Sequence, residues 1–179
     1  MIFMKTYVYI ATSLDGFIAR KDGDIDWLSK YEDPVIEDYG FNEFINKIDA
    51  FLIGRKTFDK VLSFDKWSYT KKVYVLTSTG KQVPEKLKGK VEFISSTPGN
   101  LLNQFRLEGY SGVYIDGGKT IQSFLKEDLI DEMIITTIPV LLGEGIPLFG
   151  SLKYELNFKH LETVVYQNGL VKSHYRRER

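Results

Sequence analysis

The sequence predicts an α/β fold with a mostly parallel central sheet flanked by helices and closed by an antiparallel C-terminal hairpin. Three observations carry this. Short apolar, β-branched runs alternate with segments of helical spacing along most of the chain. Two such runs, Asp49-Ala50-Phe51-Leu52-Ile53 and Gly112-Val113-Tyr114-Ile115, end in glycine turns that open helical segments: Gly54-Arg55-Lys56-Thr57 and Asp116-Gly117-Gly118-Lys119-Thr120. Near the end, Val164-Val165-Tyr166 and Leu170-Val171 flank Gln167-Asn168-Gly169, a hairpin signal through Asn-Gly.

Residues 5–13 mix β-branched and aromatic side chains as a core strand does. A polar, Gly-containing loop follows from Leu14 to Trp27. Residues 35–48 place Ile36, Tyr39, Phe41, Phe44, Ile45 and Ile48 near helical spacing, which predicts a helix there. Strand 49–53 and a short helix over 56–62 come next. Val73–Leu76 reads as a strand ending at Thr77-Ser78-Thr79-Gly80, and Val91–Ile94 as another. Thr97 is an N-cap, with Pro98 at the first helical position, for a helix to about Leu107. Strand 112–115 leads into helix 119–126, and 132–138 forms a further strand. Ligands on such sheets bind beyond the carboxyl ends of the strands. Those ends lie near Ala11–Ser13, Gly54, Leu76–Thr79, Gly117 and Thr136–Thr137.

With 179 residues the chain suffices for one domain with a substantial core. Lys plus Arg equal Asp plus Glu at 24 each, so a general nucleic-acid or membrane-surface binder is not expected. Zero cysteines exclude a disulfide scaffold, a thiolate metal site and a cysteine nucleophile, and two histidines argue against a His-rich metal site. No apolar run spans a bilayer, and Met1–Lys5 lacks the layout of a signal peptide, so the expectation is a cytoplasmic protein.

A strand that ends in glycine and turns into a helix aims free backbone N–H groups at one point, a geometry that binds phosphate. Two such turns in one chain imply a ligand with more than one phosphate, such as a dinucleotide. Arg55 supplies a planar fork suited to a phosphate dianion. The plain alternative at each turn is a tight bend that needs small residues.

Ser13-Leu14-Asp15-Gly16-Phe17-Ile18-Ala19, Gly54-Arg55-Lys56-Thr57-Phe58, Ile115-Asp116-Gly117-Gly118 and the run from Pro139 to Phe149 (PVLLGEGIPLF) together resemble the dihydrofolate-reductase-like superfamily. They are most similar to the branch that holds the reductase domain of bifunctional riboflavin biosynthesis proteins, the RibD C-terminal domain. The resemblance covers nearly the whole chain. It implies a three-layer dihydrofolate-reductase-like fold, a single reductase domain over 1–179, NADPH as cofactor and, from relatives, a homodimer. Nothing in this chain supplies the Cys and His ligands of the zinc deaminase often fused to riboflavin reductases.

The same resemblance implies cofactor contacts. Gly54, Arg55, Lys56 and Thr57 would clamp the phosphate edge of NADPH, with Arg55 at the 2′-phosphate. Gly117, Gly118, Lys119 and Thr120 would hold the pyrophosphate. Leu76, Thr77 and Ser78 would run along the adenosine ribose and 2′-phosphate, and Ala11 would meet the nicotinamide carboxamide. Asp15 and Gly16 begin the loop that covers the nicotinamide in relatives, or Asp15 only caps that turn. Trp27, with Phe41 beside the helix acid and Thr136 on its strand, would wall the substrate pocket; core packing is the alternative for each.

Hydride transfer to a C=N or C=O also requires a proton. By analogy with dihydrofolate reductase, the acid is a carboxylate in the helix before Gly54-Arg55, which counting back places at Asp38. Glu37 and Glu43 are neighbours that would replace it if the helix is offset, and the plain alternative is that all three are solvated helix residues. A carboxylate in an apolar cleft beside Phe41 and Phe44 would have a raised pKa. Gly143-Glu144-Gly145 lines the pocket rim or packs a dimer, and His160 and His174 are expected to face solvent. The expectation is reduction of a pyrimidine or pterin-like intermediate. Its alternatives are dihydrofolate reductase and an NADP-binding protein with little turnover.

Overall fold

The computed structural model describes residues 4–31, 38–64, 66–79 and 82–179. Along them run β1 (Lys5–Ser13), β2 (Phe17–Ala19), α1 (Phe41–Ile45), β3 (Ala50–Gly54), α2 (Arg55–Leu62), β4 (Lys72–Leu76), β5 (Val91–Ile94), α3 (Pro98–Leu107), β6 (Gly112–Asp116), α4 (Gly118–Lys126), β7 (Glu132–Ile138), β8 (Ile146–Pro147), β9 (Phe158–Val165) and β10 (Val171–Arg177). Eight strands form one sheet in the order β5-β4-β3-β6-β1-β7-β10-β9, and β2 pairs with β8. From β5 to β7 all neighbours are parallel, while β10 runs antiparallel to both β7 and β9. The expected α/β fold with a mostly parallel sheet and an antiparallel close is the one observed.

Alternation along the strands divides the core into two layers. Val8, Leu52, Val113 and Ile115 face Leu101, Leu102 and Phe105 of α3 and Ile121, Phe124 and Leu125 of α4. Tyr7, Phe51, Ile53, Val73 and Val75 face Phe44 of α1 and Phe58 of α2. The Thr97 side chain accepts from Asn100 N–H with Pro98 opening α3, so the predicted cap holds.

The predicted helix over 35–48 is shorter. Residues 32–37 lie outside the described residues, taking Ile36 and Glu37 with them. Tyr39 and Gly40 both adopt left-handed backbone, φ 55° and 86°, which blocks a helix through them and confines α1 to five residues. The C-terminal strands are longer than Val164–Tyr166 and Leu170–Val171. The hairpin turns through Gly169 alone (φ 85°), with Tyr166 N–H donating to Leu170 C=O; Asn168 keeps negative φ. β2 lies inside the segment read as a loop, too short to show periodicity.

His174 corrects a second expectation. It is part-buried, with Nε2 2.9 Å from Glu132 Oε2, and Lys5 Nζ lies 2.7 Å from the other Glu132 oxygen. Burial alone would raise the Glu132 pKa, but the bonds from Lys5 and His174 outweigh it and the net shift is downward. Stability from this triad is therefore full at neutral pH and is lost as acid carries the solution through the folded-state pKa. Glu132→Gln is expected to cost about 1–2 kcal/mol at pH 7 and progressively less as acid protonates Glu132 in the folded protein, as read by urea denaturation across a pH series. Among the described residues no helix is long and apolar enough to cross a membrane.

Candidate active site

The parallel sheet opens at its carboxyl edge. β1 and β6 pair only from Lys5–Tyr7 to Gly112–Tyr114, although β1 continues to Ser13 and β6 to Asp116. Beyond that point the strands part, and the Tyr114 hydroxyl fills the gap by donating to Tyr9 C=O at 2.5 Å. On the β7 side β1 stays paired, placing Ala11 opposite Thr136, which in turn lies opposite Lys172 of β10. A crevice between two diverging parallel strands is where such sheets take ligands.

Both glycine turns lie at this edge and pack against each other. A Cβ on Gly54 would stand 2.6 Å from Thr120 Oγ1, and a Cβ on Gly117 would stand 2.5 Å from Thr57 Oγ1 and 3.6 Å from Gly54 N. Each turn's glycine thus receives the hydroxyl of the other turn's threonine. The first turns of α2 and α4 are brought side by side, concentrating unpaired helix N–H groups on one spot. Gly117 also has φ 95°, which only glycine adopts cheaply. Lys56 and Lys119 are exposed, and Thr120 is buried.

Arg55 lies in the first turn of α2. Its guanidinium rests over the Phe93 and Phe58 rings at 5.3 and 5.7 Å and binds Asp59 through Nε and Nη2. Its Nη1 is buried without a hydrogen-bond partner. A buried guanidinium nitrogen left open fits an added anionic acceptor. At the end of β4, Thr77 Oγ1 bonds within its own turn to Thr79, and Ser78 is exposed.

Asp116 emerges as a functional candidate only in three dimensions; in the sequence it is simply the residue that opens the second glycine turn. It closes β6, two residues after Tyr114 and so on the same face. The residue is half-buried, and burial of its carboxyl group raises its pKa to about 6, opposed only in part by the Gly117 N–H. Tyr69 lies close enough for the Asp116 charge to push up its own phenol. The available signal is a carboxylate at a strand end directly before the Gly-Gly turn.

Asp38 is arranged differently from its expected role. It sits before the left-handed Tyr39-Gly40 pair, and its carboxylate accepts Asn42 N–H at 2.6 Å and Gly40 N–H at 2.9 Å. These bonds lower its pKa, with Asn42 the largest cause. The expected upward shift is therefore corrected: Asp38 is a cap for α1, held ionised, rather than a carboxyl in an apolar cleft. Glu43, its neighbour, is exposed and pairs with Lys47 at 3.1 Å.

The remaining positions divide. Phe41 packs on Tyr9 at 5.3 Å and on Tyr114 at 6.4 Å, on the crevice side of the sheet. Trp27 is 2% exposed, clustered with Ile138, Leu170 and Ala11, and its Nε1 has no partner. Asp15 accepts from Ser13 Oγ, Leu142 N–H and Gly143 N–H, which lower its pKa in spite of opposing desolvation. It fastens the loop after β1 to the Pro139–Gly145 segment, and Gly16 C=O accepts from Leu148 N–H. Glu144 pairs with Lys21 at 2.5 Å, so Gly143-Glu144-Gly145 borders this same loop.

The model of the RibD C-terminal domain family matches residues 5–172. The chain is 39% identical over 158 residues to the uncharacterized protein YwjB of Bacillus subtilis (strain 168), covering 87% of this chain and 88% of YwjB. A crystal structure of a Shewanella sp. PV-4 protein assigned by name to riboflavin biosynthesis superposes with a TM-score of 0.94 at 45% identity, over 98% of this chain and 100% of that one. Dihydrofolate reductase from Enterococcus faecalis, complexed with NADP(H), has a TM-score of 0.69 at 18% identity over the full length of both chains, which shows a shared fold. With this fold, a crevice at its carboxyl edge and a family match along nearly its whole length, the chain belongs to the RibD C-terminal domain family.

Proposed function

We propose that this chain is an NADPH-dependent reductase acting on a pyrimidine or pterin-like intermediate, most like the riboflavin-pathway reduction of 5-amino-6-(5-phosphoribosylamino)uracil. The observation that carries the reading is the reciprocal packing of Gly54 with Thr120 and Gly117 with Thr57, which joins two helix N-termini at the edge of the crevice. The resemblance assigns the Gly54 turn to the phosphate edge and the Gly117 turn to the pyrophosphate, and the mutual packing of the two turns suits a single diphosphate held between them.

NADPH, when bound, supplies a hydride to a C=N or C=O carbon. The chain's residues hold and protonate. Backbone N–H groups after Gly54 and Gly117 bind phosphate oxygens, and Arg55 Nη1 takes the 2′-phosphate. Asp116, half-buried and with its pKa raised to about 6, is a better proton source near neutrality than Asp38, whose carboxylate is stabilised ionised. This also weakens the dihydrofolate reductase alternative, which leans on a helix acid at Asp38. Thr136 lies beside Ala11, and Phe41 packs on Tyr9, two residues earlier on the same strand face; the substrate ring would lie along this row.

Arg55→Ala tests the cofactor assignment. Losing a charged hydrogen bond of roughly 1.5–3 kcal/mol should weaken NADPH about 10- to 100-fold and NADH less than about threefold. Fluorescence titration with each coenzyme decides it, and equal losses for both would reject the 2′-phosphate role. The reaction itself is tested by following NADPH oxidation with dihydrofolate and with the riboflavin intermediate side by side. Tight NADPH binding with no oxidation by any acceptor would favour a binding protein with little turnover.

A further inference from the structure

Tyr39 C=O is crowded with donors. Lys172 Nζ lies 2.6 Å from it, Tyr9 Oη 2.8 Å and Tyr166 Oη 3.2 Å. A carbonyl oxygen has two lone pairs, whereas an ammonium alone carries three N–H donors and each phenol one more. Donor capacity is therefore in excess at a part-buried point. Among the described residues no carboxylate oxygen comes within 4 Å of Lys172 Nζ; a Cβ on Gly40 would stand 3.0 Å from it, the Tyr166 ring lies 5.6 Å to the centroid, and the Asp38 carboxylate is near enough for the Lys172 charge to help lower its pKa, after the Asn42 and Gly40 N–H bonds. Two of the nearby carboxylates are already engaged: Asp38 accepts two backbone N–H groups and Glu43 pairs with Lys47, while Glu162 is exposed and stands 3.8 Å from His174.

The cluster also stands where a ligand can reach it. Lys172, Lys47, Tyr9 and Gly40 line a crevice of about 80 Å³, whose wall also carries Glu43 and Glu162. Lys172 ends the row Ala11–Thr136–Lys172 that crosses β1, β7 and β10 on one face. With strands spaced about 4.8 Å apart, that row is about 10 Å long. This matches one ring lying over Thr136 with a substituent extending toward β10.

We propose that Lys172, with the hydroxyls of Tyr9 and Tyr166, forms the docking point for an oxyanion, a carboxylate or a phosphate, carried by the substrate. The proposal rests on the reductase reading and deepens it: the substrate is an anionic ring compound, with its charge on the side of the ring away from β6. Lys172 keeps Tyr39 C=O with one N–H and turns the others to the ligand.

The test titrates the NADPH-saturated protein, by calorimetry, with two matched pairs: uracil against orotate, and uridine against uridine 5′-monophosphate. At least one anionic member is expected to bind ten times or more tightly than its neutral counterpart. A response to orotate assigns a carboxylate on the ring, and a response to the monophosphate assigns a phosphate on a tail. Lys172→Met should cut the preference below threefold with NADPH affinity unchanged, and Lys172→Arg should restore it. Equal affinity within both pairs, no binding of any of the four, or a preference that survives Lys172→Met overturns the proposal. Failure of the reductase reading would appear separately, as a wild-type protein that does not bind NADPH.

Discussion

Asp116→Asn is expected to lower NADPH-dependent turnover by about 10²- to 10⁴-fold, the usual worth of a general acid, while NADPH affinity stays within about threefold. The same change should stabilise the fold at pH 8. An unfolded aspartate has a pKa near 3.9, roughly two units below the value of about 6 in the folded site. Protonation therefore favours the folded state. The cost of the charge is absent below pH ~4, grows as pH rises through about 6, and is complete above it, amounting to about 2–3 kcal/mol. Asn removes that cost, so the melting temperature should rise by about 4–12 °C at pH 8 and be nearly unchanged at pH 4. Calorimetry at both values, with turnover at pH 6 and 8, checks both the chemical and the energetic role. A variant that turns over normally would move the acid elsewhere. A variant destabilised at pH 8 would mean the carboxylate is held by charge-favouring contacts instead of merely buried. A carboxylate that costs stability at the carboxyl edge of a parallel sheet is a candidate for chemistry, and this pair of measurements tests it.

The contrast between Asp116 and Asp38 shows which parts of this protein are legible from its sequence. Strands with buried faces announce themselves through β-branched runs, and β1, β3 to β7 and the Thr97-Pro98 cap fall within a residue or two of their expected positions. The two glycine turns are legible for the same reason, because a glycine between a strand and a helix constrains the backbone locally. What spacing alone cannot supply is the environment of a carboxyl. Asp38 fits a helical register, yet the left-handed Tyr39-Gly40 pair converts it into a cap. That pair is held by Lys172, Tyr9 and Tyr166, two of which come from a hairpin more than 120 residues away. Asp116 owes its raised pKa to burial, which exists only once the chain is folded. The pairing of His174 with Glu132 is likewise a product of β7–β10 register.

The glycine turns offer a sharper separation of packing from binding. Gly54 has φ −78° and ψ 160°, which alanine adopts without strain, so Gly54→Ala meets only the Thr120 hydroxyl at 2.6 Å. Overpacking of this kind costs about 1–3 kcal/mol, because a β-branched side chain in the first turn of a helix has little freedom to swing away. Thr120→Ala removes the obstructing oxygen, and the next neighbour, Cβ, stands at an ordinary 3.9 Å. The double variant should therefore fold within about 0.5 kcal/mol of Thr120→Ala alone, a coupling of about 0.5–3 kcal/mol in a denaturation cycle. Gly117→Ala behaves differently. Thr57→Ala relieves its 2.5 Å overlap but leaves φ at 95°, so roughly 1–2 kcal/mol of backbone strain persists. Binding distinguishes the two further. If phosphate oxygens approach the backbone at these turns, a methyl on either glycine weakens NADPH at least about tenfold even where stability has been recovered, since the methyl then stands in the way of the ligand and no longer of the partner threonine. Full NADPH affinity in the stable Gly54→Ala/Thr120→Ala protein would mean that Gly54 serves only to let α2 and α4 meet, and the diphosphate would have to lie on the Gly117 side alone.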